Sequence, residues 1–126
     1  MDFVTFEIAK KRKEKGFTLP KSEIIGKFDP DGLFHSQLYI NFTETMDLDE
    51  IIAPTISQVL EWLREEKETD IILYPIFLYN ENNREREYGI EIHAPQLNKP
   101  VHLGYFKECE KGANAGIEYV LDNLIN

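Results

Sequence analysis

Two histidines have the spacing that comes nearest to a chemical site in this chain. His93 and His102 belong to two predicted neighbouring strands, and a register that places Ala94 opposite Val101 also places the two imidazoles opposite each other. Cβ atoms of such cross-strand pairs lie about 4.5–5.5 Å apart, which would let both rings share a zinc or nickel ion with Glu91 or a second chain. The alternative is a solvent-facing pair without a ligand, because two histidines alone are not a metal-site pattern. We therefore predict no metal site and leave the pairing of the rings open.

One cysteine and several acidic residues are the remaining candidates for catalysis. Cys109 can act as a nucleophile with a histidine as base, but its spacing places it on the apolar side of a helix, where free cysteine behaves as a small hydrophobic residue. Paired carboxylates can act as general acid and base. The acids occur in two stretches, Asp47, Asp49 and Glu50, and then Glu85, Glu87 and Glu91. Such runs are usually solvated surfaces. Without a phosphate-binding loop, nucleophile elbow or zinc motif, we predict no enzyme, no catalytic residue and no cofactor.

The charge of the chain is acidic and unevenly distributed. The 126 residues carry a formal net charge of −9. Residues 1–27 contain seven Lys or Arg against four Asp or Glu and carry +3, whereas residues 28–126 contain seven against nineteen and carry −12. Nucleic-acid binding usually requires a basic face that releases counterions from phosphates. The body of the protein has the opposite charge, so only the short basic run at residues 10–15 favours that function.

Length and composition indicate one small globular domain. A chain of this size buries roughly two thirds of its unfolded surface and needs neither a disulfide nor a metal to fold. No apolar run approaches the about 18 residues of a membrane span, and the first residues lack the basic-then-apolar order of a signal peptide. The single cysteine cannot form an internal disulfide. These features together predict a cytoplasmic protein without a membrane partner.

A basic helix is predicted at the N-terminus, over residues 3–15. Its apolar residues recur at helical spacing, and Asp2 or Thr5 can cap its first turn. Gly16 supplies a left-handed stop at the other end.

A connector at residues 18–32 separates this helix from the main unit, residues 34–126. The connector ends in the turn Asp29-Pro30-Asp31-Gly32, in which proline sets φ at the second position and glycine tolerates the last. A strand is predicted over residues 34–43, because apolar and polar residues alternate there. A polar loop up to Asp49 follows.

The clearest element is a helix that leads directly into a strand. Pro54 suits the first helical position. The apolar stripe of the helix consists of Ile52, Ile56, Val59, Leu60 and Leu63. Trp62, the single tryptophan, lies beside that stripe. We therefore predict that Trp62 covers the rim of the core rather than binding a ligand.

Three strands are predicted next, at residues 71–79, 86–94 and 101–106. Placing Tyr79 opposite Arg86 in the first hairpin, with Ala94 opposite Val101 in the second, turns one apolar face inward. The inward residues are then Ile71, Leu73, Phe77, Tyr88, Ile90, Ile92, Val101, Leu103 and Tyr105.

The first of these strands is apolar on its opposite face as well, through Ile72, Tyr74, Ile76 and Leu78. Such a face is too apolar to leave in water. Either another element covers it, the N-terminal helix being one candidate, or it binds a partner. Pro75 lacks a backbone donor and marks an edge or a bulge of the strand. The four residues are therefore predicted as a possible partner surface.

A final helix is predicted over residues 108–125. Its buried stripe consists of Cys109, Ala113, Ile117, Val120, Leu121 and Leu124. Gly112 and Gly116 cost roughly 1 kcal/mol each relative to alanine inside a helix, so we expect the helix to approach the sheet closely there. For Gly112, a position at the start of the helix is the alternative. The predicted order is α-β-α-β-β-β-α, an α+β fold with an antiparallel sheet and helices packed on it.

Three motifs carry a resemblance to a known group of proteins. They are the Ala-Lys-rich helix Ala9 to Phe17, which ends in Gly-Phe; the helix Trp62-Leu63-Arg64-Glu65, which leads into a strand; and the closing segments Tyr105 to Cys109 and Ala115 to Glu118. With these motifs the chain resembles a family of small uncharacterised proteins of Bacteroides-type gut bacteria and their phage-like mobile elements. Cys109, Gly112 and the long acidic hairpin at residues 71–94 depart from the family's pattern. The resemblance implies an origin and a fold, and no site residue.

The sequence thus predicts a non-enzymatic interaction or accessory protein of a phage-like or mobile element, which binds a protein partner or a second copy of itself. Two alternatives remain open. The charge of −12 over residues 28–126 fits an acidic mimic that competes for a nucleic-acid-binding partner. The basic N-terminal helix fits direct nucleic-acid binding.

Overall fold

Three helices and six strands lie within the part of the chain that the computed structural model describes, which is residues 3–17, 22–29, 31–42, 51–79 and 84–125. In chain order they are α1 (Phe6–Glu14), β1 (Ser22–Phe28), β2 (Phe34–Phe42), β3 (Ile51–Ala53), α2 (Ile56–Lys67), β4 (Asp70–Tyr79), β5 (Arg84–His93), β6 (Val101–Phe106) and α3 (Cys109–Asn123). The strands form two antiparallel sheets, with the orders β2-β1-β3 and β4-β5-β6. The predicted α+β fold is confirmed, and its seven predicted elements occur in the predicted order.

Two further strands, β1 and β3, were not expected. The connector predicted at residues 18–32 contains β1, the central strand of the first sheet. Adjacent Ile24 and Ile25 hide its alternation in the sequence, and the register with β2 is irregular between Ser22 and Ile24. Ile52 lies in the three-residue β3 rather than on the stripe of α2. The sequence missed β3 because three residues are too few for a periodic signal. The loop predicted from Thr43 to Asp49 lies outside the described residues.

The turn between β1 and β2 forms as predicted. The Asp29 carboxylate accepts hydrogen bonds from the backbone N–H groups of Asp31 and Leu33, at 3.0 and 2.9 Å. The N–H of Gly32 donates to the Asp29 carbonyl at 2.9 Å, and Gly32 has a φ of 88°. The aspartate and the glycine therefore specify the hairpin locally.

Helix α1 is shorter than residues 3–15, because its N-cap is Thr5 and Phe3 instead forms a β-bridge with Thr55. The predicted left-handed stop is present, since Gly16 has a φ of 95°. The helix packs on α3 and β3 and does not cover the far side of β4. The side-chain Oδ1 of Asn114 in α3 accepts a hydrogen bond from the backbone N–H of Thr5 at 3.3 Å.

Helix α2 begins after Thr55, two residues later than Pro54, which was wrongly predicted as its first residue. The side chain of Thr55 accepts the backbone N–H of Gln58, and the side chain of Gln58 accepts that of Thr55. This reciprocal capping box outweighs the preference of proline for the first helical position. Trp62 is partly buried and packs on Phe17 at 5.0 Å between ring centroids, which confirms its place at the rim of the core.

Helix α3 lies against one face of the β4-β5-β6 sheet, here called the inner face. The predicted close approach at both glycines is confirmed. A Cβ atom on Gly112 would lie 2.7 Å from Ile90, and one on Gly116 would lie 2.8 Å from Ile71. Ile90 and Ile92 are fully buried beneath the helix. The core also includes buried residues from α1, α2 and the first sheet.

The inner face is covered over only part of its length, which corrects the prediction for two residues. Phe77 occupies an inward-facing position but is 50% exposed, since β4 and β5 extend beyond the helices. Arg86 lies over the rings of Phe77 and Tyr88, at 5.6 and 5.0 Å from their centroids. Tyr105, also predicted to face inward, is 56% exposed on the opposite side of the sheet.

Candidate functional site

The uncovered side of the β4-β5-β6 sheet, here called the outer face, is the candidate functional site. Strand alternation places Ile72, Tyr74 and Ile76 of β4 on it, directly across from Glu91, Gly89 and Glu87 of β5. Strand β6 contributes His102 and Tyr105. Among the described residues, the helices that contact this sheet are α3 and, at β4, α2.

The register between β5 and β6 differs from the predicted one and separates the two histidines. Glu91, rather than His93, lies opposite His102, and Gly89 lies opposite Tyr105. The pairing shifts between Ile90 and Glu91. Gly104 makes this bulge possible, since its φ of 103° is a conformation that residues with a Cβ rarely adopt. The extra residue turns Phe106 inward and Tyr105 outward. The register settles the pairing of the rings that the sequence left open, because His93 and His102 do not lie opposite each other.

His102 instead forms a hydrogen bond with Tyr74. The distance from Tyr74 Oη to His102 Nε2 is 2.7 Å, and His102 Nδ1 accepts the backbone N–H of Gly104 at 3.2 Å. Because Nδ1 is an acceptor, the proton of the neutral imidazole resides on Nε2, which donates to Tyr74 Oη. The phenolic hydrogen of Tyr74 is then available for a different acceptor.

Gly89 allows Tyr74 to reach across the sheet. Tyr74 and His102 lie on the two edge strands of the sheet, β4 and β6, and Gly89 lies on the central strand β5. A Cβ atom on Gly89 would lie only 2.4–2.7 Å from Tyr74 Cζ, Cε2 and Oη. The phenol therefore lies over the glycine, and any larger residue at position 89 would displace it.

A second tyrosine completes an aromatic row on the outer face. The ring of Tyr105 packs edge-on against His102, with 5.1 Å between the ring centroids. The ring centroids of Tyr74 and His102 are 6.2 Å apart. Desolvation, with the charge interactions of Tyr105 and Glu91, raises the pKa of Tyr74 above its ordinary value. The phenol of Tyr74 thus stays protonated at neutral pH and keeps its hydrogen-bond donor.

The outer face is acidic as well as aromatic. Its charged strand positions are all carboxylates, namely Asp70, Glu85, Glu87 and Glu91. No lysine or arginine occupies an outward-facing position of these three strands. Asp70 pairs with Arg64 at 3.1 Å, and His93 Nε2 lies 3.5 Å from Glu91 Oε1. The three glutamates remain without a lysine or arginine neighbour on their own face.

The predicted partner surface forms one part of this face. Ile72 is 43% exposed, and Tyr74 and Ile76 are partly buried. Leu78 occupies an outward-facing position, with its side chain outside the described part. The sequence placed His102 and Glu91 on the non-core side of the sheet without assigning them to the partner surface, and it placed Tyr105 on the wrong side. Gly104 was the available signal, because a glycine inside a strand often marks a bulge that reverses which residues face outward.

The candidate catalytic residues are not brought into a common site. Cys109 is exposed at the start of α3, which corrects its predicted burial. Glu85, Glu87 and Glu91 line the outer face of β5, whereas Asp47, Asp49 and Glu50 lie outside the described residues. Within the described part of the chain, no three His, Cys, Asp or Glu residues are grouped to hold a metal ion.

The basic run of α1 is partly engaged within the protein. Arg12 is fully buried and donates from Nη1 to the Phe17 carbonyl at 3.0 Å. Lys11 forms ion pairs with Glu118 and Asp122 of α3, at 3.2 and 3.1 Å. The hydrogen bond to Asp122 contributes most to raising the pKa of Lys11 above its ordinary value. Two of the cations predicted to favour nucleic acid therefore hold α1 in place.

Comparisons with protein-family models, curated proteins and solved structures find no match to this chain. In the described residues, no helix has the length and apolar character required to cross a bilayer. The residues of the outer face are therefore the basis for proposing a function.

Proposed function

We propose that this protein is a non-enzymatic interaction protein that binds a protein partner with the outer face of its β4-β5-β6 sheet. The carrying observation is the exposure of Ile72 and Tyr105 on the sheet face opposite the one that packs against α3. Large apolar side chains grouped on an open face are typical of a binding surface.

Contact through the face is favoured over pairing along the sheet edge. Strand β4 is an edge strand, as Pro75 suggested, and could in principle pair with another strand. Pro75 supplies no N–H to such a ladder and interrupts the edge near its middle. The face has no comparable obstacle, and it presents aromatic side chains, which are enriched at protein interfaces.

Site-specific photocrosslinking in the source cells tests this proposal. A photoreactive amino acid replaces Ile72 on the outer face, and a matched variant carries it at Glu66, which is exposed on α2. We expect a discrete adduct from position 72 that is absent from position 66. Equal crosslinking at both positions, or none at position 72, would contradict a partner on this face.

The mass of the adduct distinguishes a different partner from a second copy of the chain. A net charge of −9 on each copy opposes self-association at low salt. We therefore expect a mass other than that of a dimer, and light scattering of the purified protein should report a monomer.

A second candidate function is competition for a nucleic-acid-binding protein. The glutamates of the outer face and the absence of outward-facing lysine or arginine on its strands favour it. If the crosslinked partner binds nucleic acid, added protein should displace that nucleic acid in a gel shift. Direct nucleic-acid binding through α1 predicts retardation by this protein alone at low salt, which the engagement of Lys11 and Arg12 disfavours.

The proposed origin in a mobile element and the cytoplasmic location rest on the sequence. Neighbouring genes test the origin, because a phage-like or conjugative cassette would support it. Fractionation of the source cells tests the location.

A further inference from the structure

We propose that the outer face recognises an arginine side chain of a basic partner, with the guanidinium over the Tyr74 and Tyr105 rings and beside Glu91. This inference rests on the proposed function and names the chemistry of its partner. Aromatic rings attract cations through the negative potential of their faces, and a nearby carboxylate adds a direct charge interaction.

Several aromatic rings elsewhere in the molecule lie against a cation of the chain itself. Lys10 lies 4.7 Å from the Phe6 centroid, and Lys67 lies 5.6 Å from the Trp62 centroid. Arg86 lies over Tyr88 on the inner face. On the outer face, the strands supply two tyrosines and three glutamates, of which Glu91 lies beside His93, but no lysine or arginine position. A cation brought by a partner would complete the same arrangement.

The aromatic row is held in place before a ligand arrives. Gly89 leaves room for the Tyr74 ring, and the hydrogen bond to His102 fixes the end of the phenol. His102 is fixed in turn by the backbone N–H of Gly104. Such preorganisation reduces the entropy that a ligand must overcome on binding.

Arginine fits this surface better than lysine. Its planar guanidinium stacks on an aromatic ring while its edge N–H groups donate to a carboxylate, whereas an ammonium acts as a compact, strongly hydrated charge. The aliphatic stem of the arginine can lie on Ile72. The phenolic hydrogen of Tyr74, which His102 does not require, can be donated to a backbone carbonyl of the partner.

Titration of the full chain with an unstructured Arg-Gly repeat peptide tests the inference, with aromatic ring resonances as the readout. Peptides in which citrulline or lysine replaces arginine are the matched ligands, because citrulline retains the shape without the charge. We expect the arginine peptide to shift the Tyr74, Tyr105 and His102 ring signals, the lysine peptide to bind more weakly and the citrulline peptide to bind least. Added salt should weaken the arginine complex.

Three variants distinguish the contribution of the aromatic ring to binding from that of its apolar surface area. Tyr74→Leu or Tyr105→Leu should weaken arginine-peptide binding by about threefold to tenfold, the range of one cation–π contact. Tyr74→Phe keeps the ring but loses the hydroxyl, so it should bind more weakly than the parent and more tightly than Tyr74→Leu. Tyr88→Leu, on the inner face, is the matched control and should leave the affinity unchanged. Backbone amide spectra of each variant establish that the fold is retained.

Equal binding of the citrulline peptide, or unchanged affinity in both leucine variants, would overturn the inference. Shifts confined to other surfaces would overturn it as well. A crosslinked partner at position 72 together with no arginine binding would refute the inference and retain the proposed function. Arginine binding at the tyrosines without a crosslinked partner would refute the proposed function and retain the inference.

Discussion

The two faces of the β4-β5-β6 sheet are built from similar residue types and serve different purposes. The inner face packs Ile90 and Ile92 beneath α3, with glycines on the helix that let the backbone approach. The outer face carries aliphatic and aromatic side chains too, yet it lies opposite α3 and leaves Ile72 and Tyr105 exposed, and its glycine receives a tyrosine ring instead. Apolar character alone therefore does not define a core, and the presence of a covering element decides which face is buried.

The two faces also differ in whether a cation of the chain lies against their aromatic rings. Where the inner face projects beyond the helices, Arg86 stacks on Phe77 and Tyr88. The outer face presents Tyr74 and Tyr105 next to glutamates, without an arginine from its own strands. On the inner face the chain itself supplies the cation for the aromatic rings. On the outer face no strand residue supplies one, so the surface is suited to a partner that brings a cation.

The largest expected effect separates the two faces by the same substitution. Ile90→Ala should lower the free energy of unfolding by about 3–4 kcal/mol, because it leaves a cavity beneath α3. Ile72→Ala, on the outer face, should stay within about 1 kcal/mol. Urea denaturation measures both. A similar loss for the two variants would mean that an element outside the described residues covers the outer face.

The next effect tests the exposed end of the inner face. Phe77→Ala should cost about 1 kcal/mol, since the ring is half exposed and contributes mainly its contact with Arg86. Arg86→Ala should cost a similar amount, and the double variant should cost less than the sum of the two. Strict additivity of the unfolding free energies would argue against the stacking contact.

A smaller change in stability should accompany a clear change in the outer face. In Gly89→Ala, the new methyl group displaces the Tyr74 ring, while alanine lowers the entropy of the unfolded chain. We expect the free energy of unfolding to change by no more than about 1 kcal/mol. The imidazole signals of His102 should nevertheless move, because the hydrogen bond from Nε2 is lost. Unchanged imidazole signals would contradict the arrangement of Tyr74 over Gly89.

The smallest effect concerns the pH dependence of the outer face. The pKa of Tyr74 is raised in the folded protein, so folding favours the protonated phenol. This stabilisation is complete below the ordinary tyrosine pKa of 10.0 and is lost as the pH rises through the folded value. Tyr74→Phe should therefore lose less stability than the parent between about pH 9 and about pH 11. Parallel losses in urea midpoints would refute the assignment.

Local chemistry explains which parts of the fold could be predicted. Thr5 and Gly16 bound α1, the Asp29 carboxylate and Gly32 form the first hairpin, and alternation locates β4 to β6 within two residues. These signals act over a few residues and need no distant partner. Strand β3 has no such signal, because its pairing with β1 rather than its own length makes it a strand.

The site was predicted in part, through β4 alone. Ile72, Tyr74 and Ile76 follow from the alternation of one strand. Tyr105 joins them only because the bulge at Gly104 shifts the register of β6, since a regular ladder would have turned it inward. His102 lies before the bulge and faces outward in either register. A single inserted residue reverses the facing of every later side chain in a strand.

Sequence by itself determined seven of the nine helices and strands of the described residues, the N-terminal cap of α1, the first hairpin turn and the acidic charge of residues 28–126, because each depends on neighbouring residues or on composition. Tertiary structure decided which apolar surfaces are buried, since burial depends on where α3 lies and where the strands extend past it. It also decided the contact of Tyr74 with His102, 28 residues apart in the chain. That contact requires a glycine on the strand between them and the register that places His102 opposite Glu91, and no local pattern specifies both.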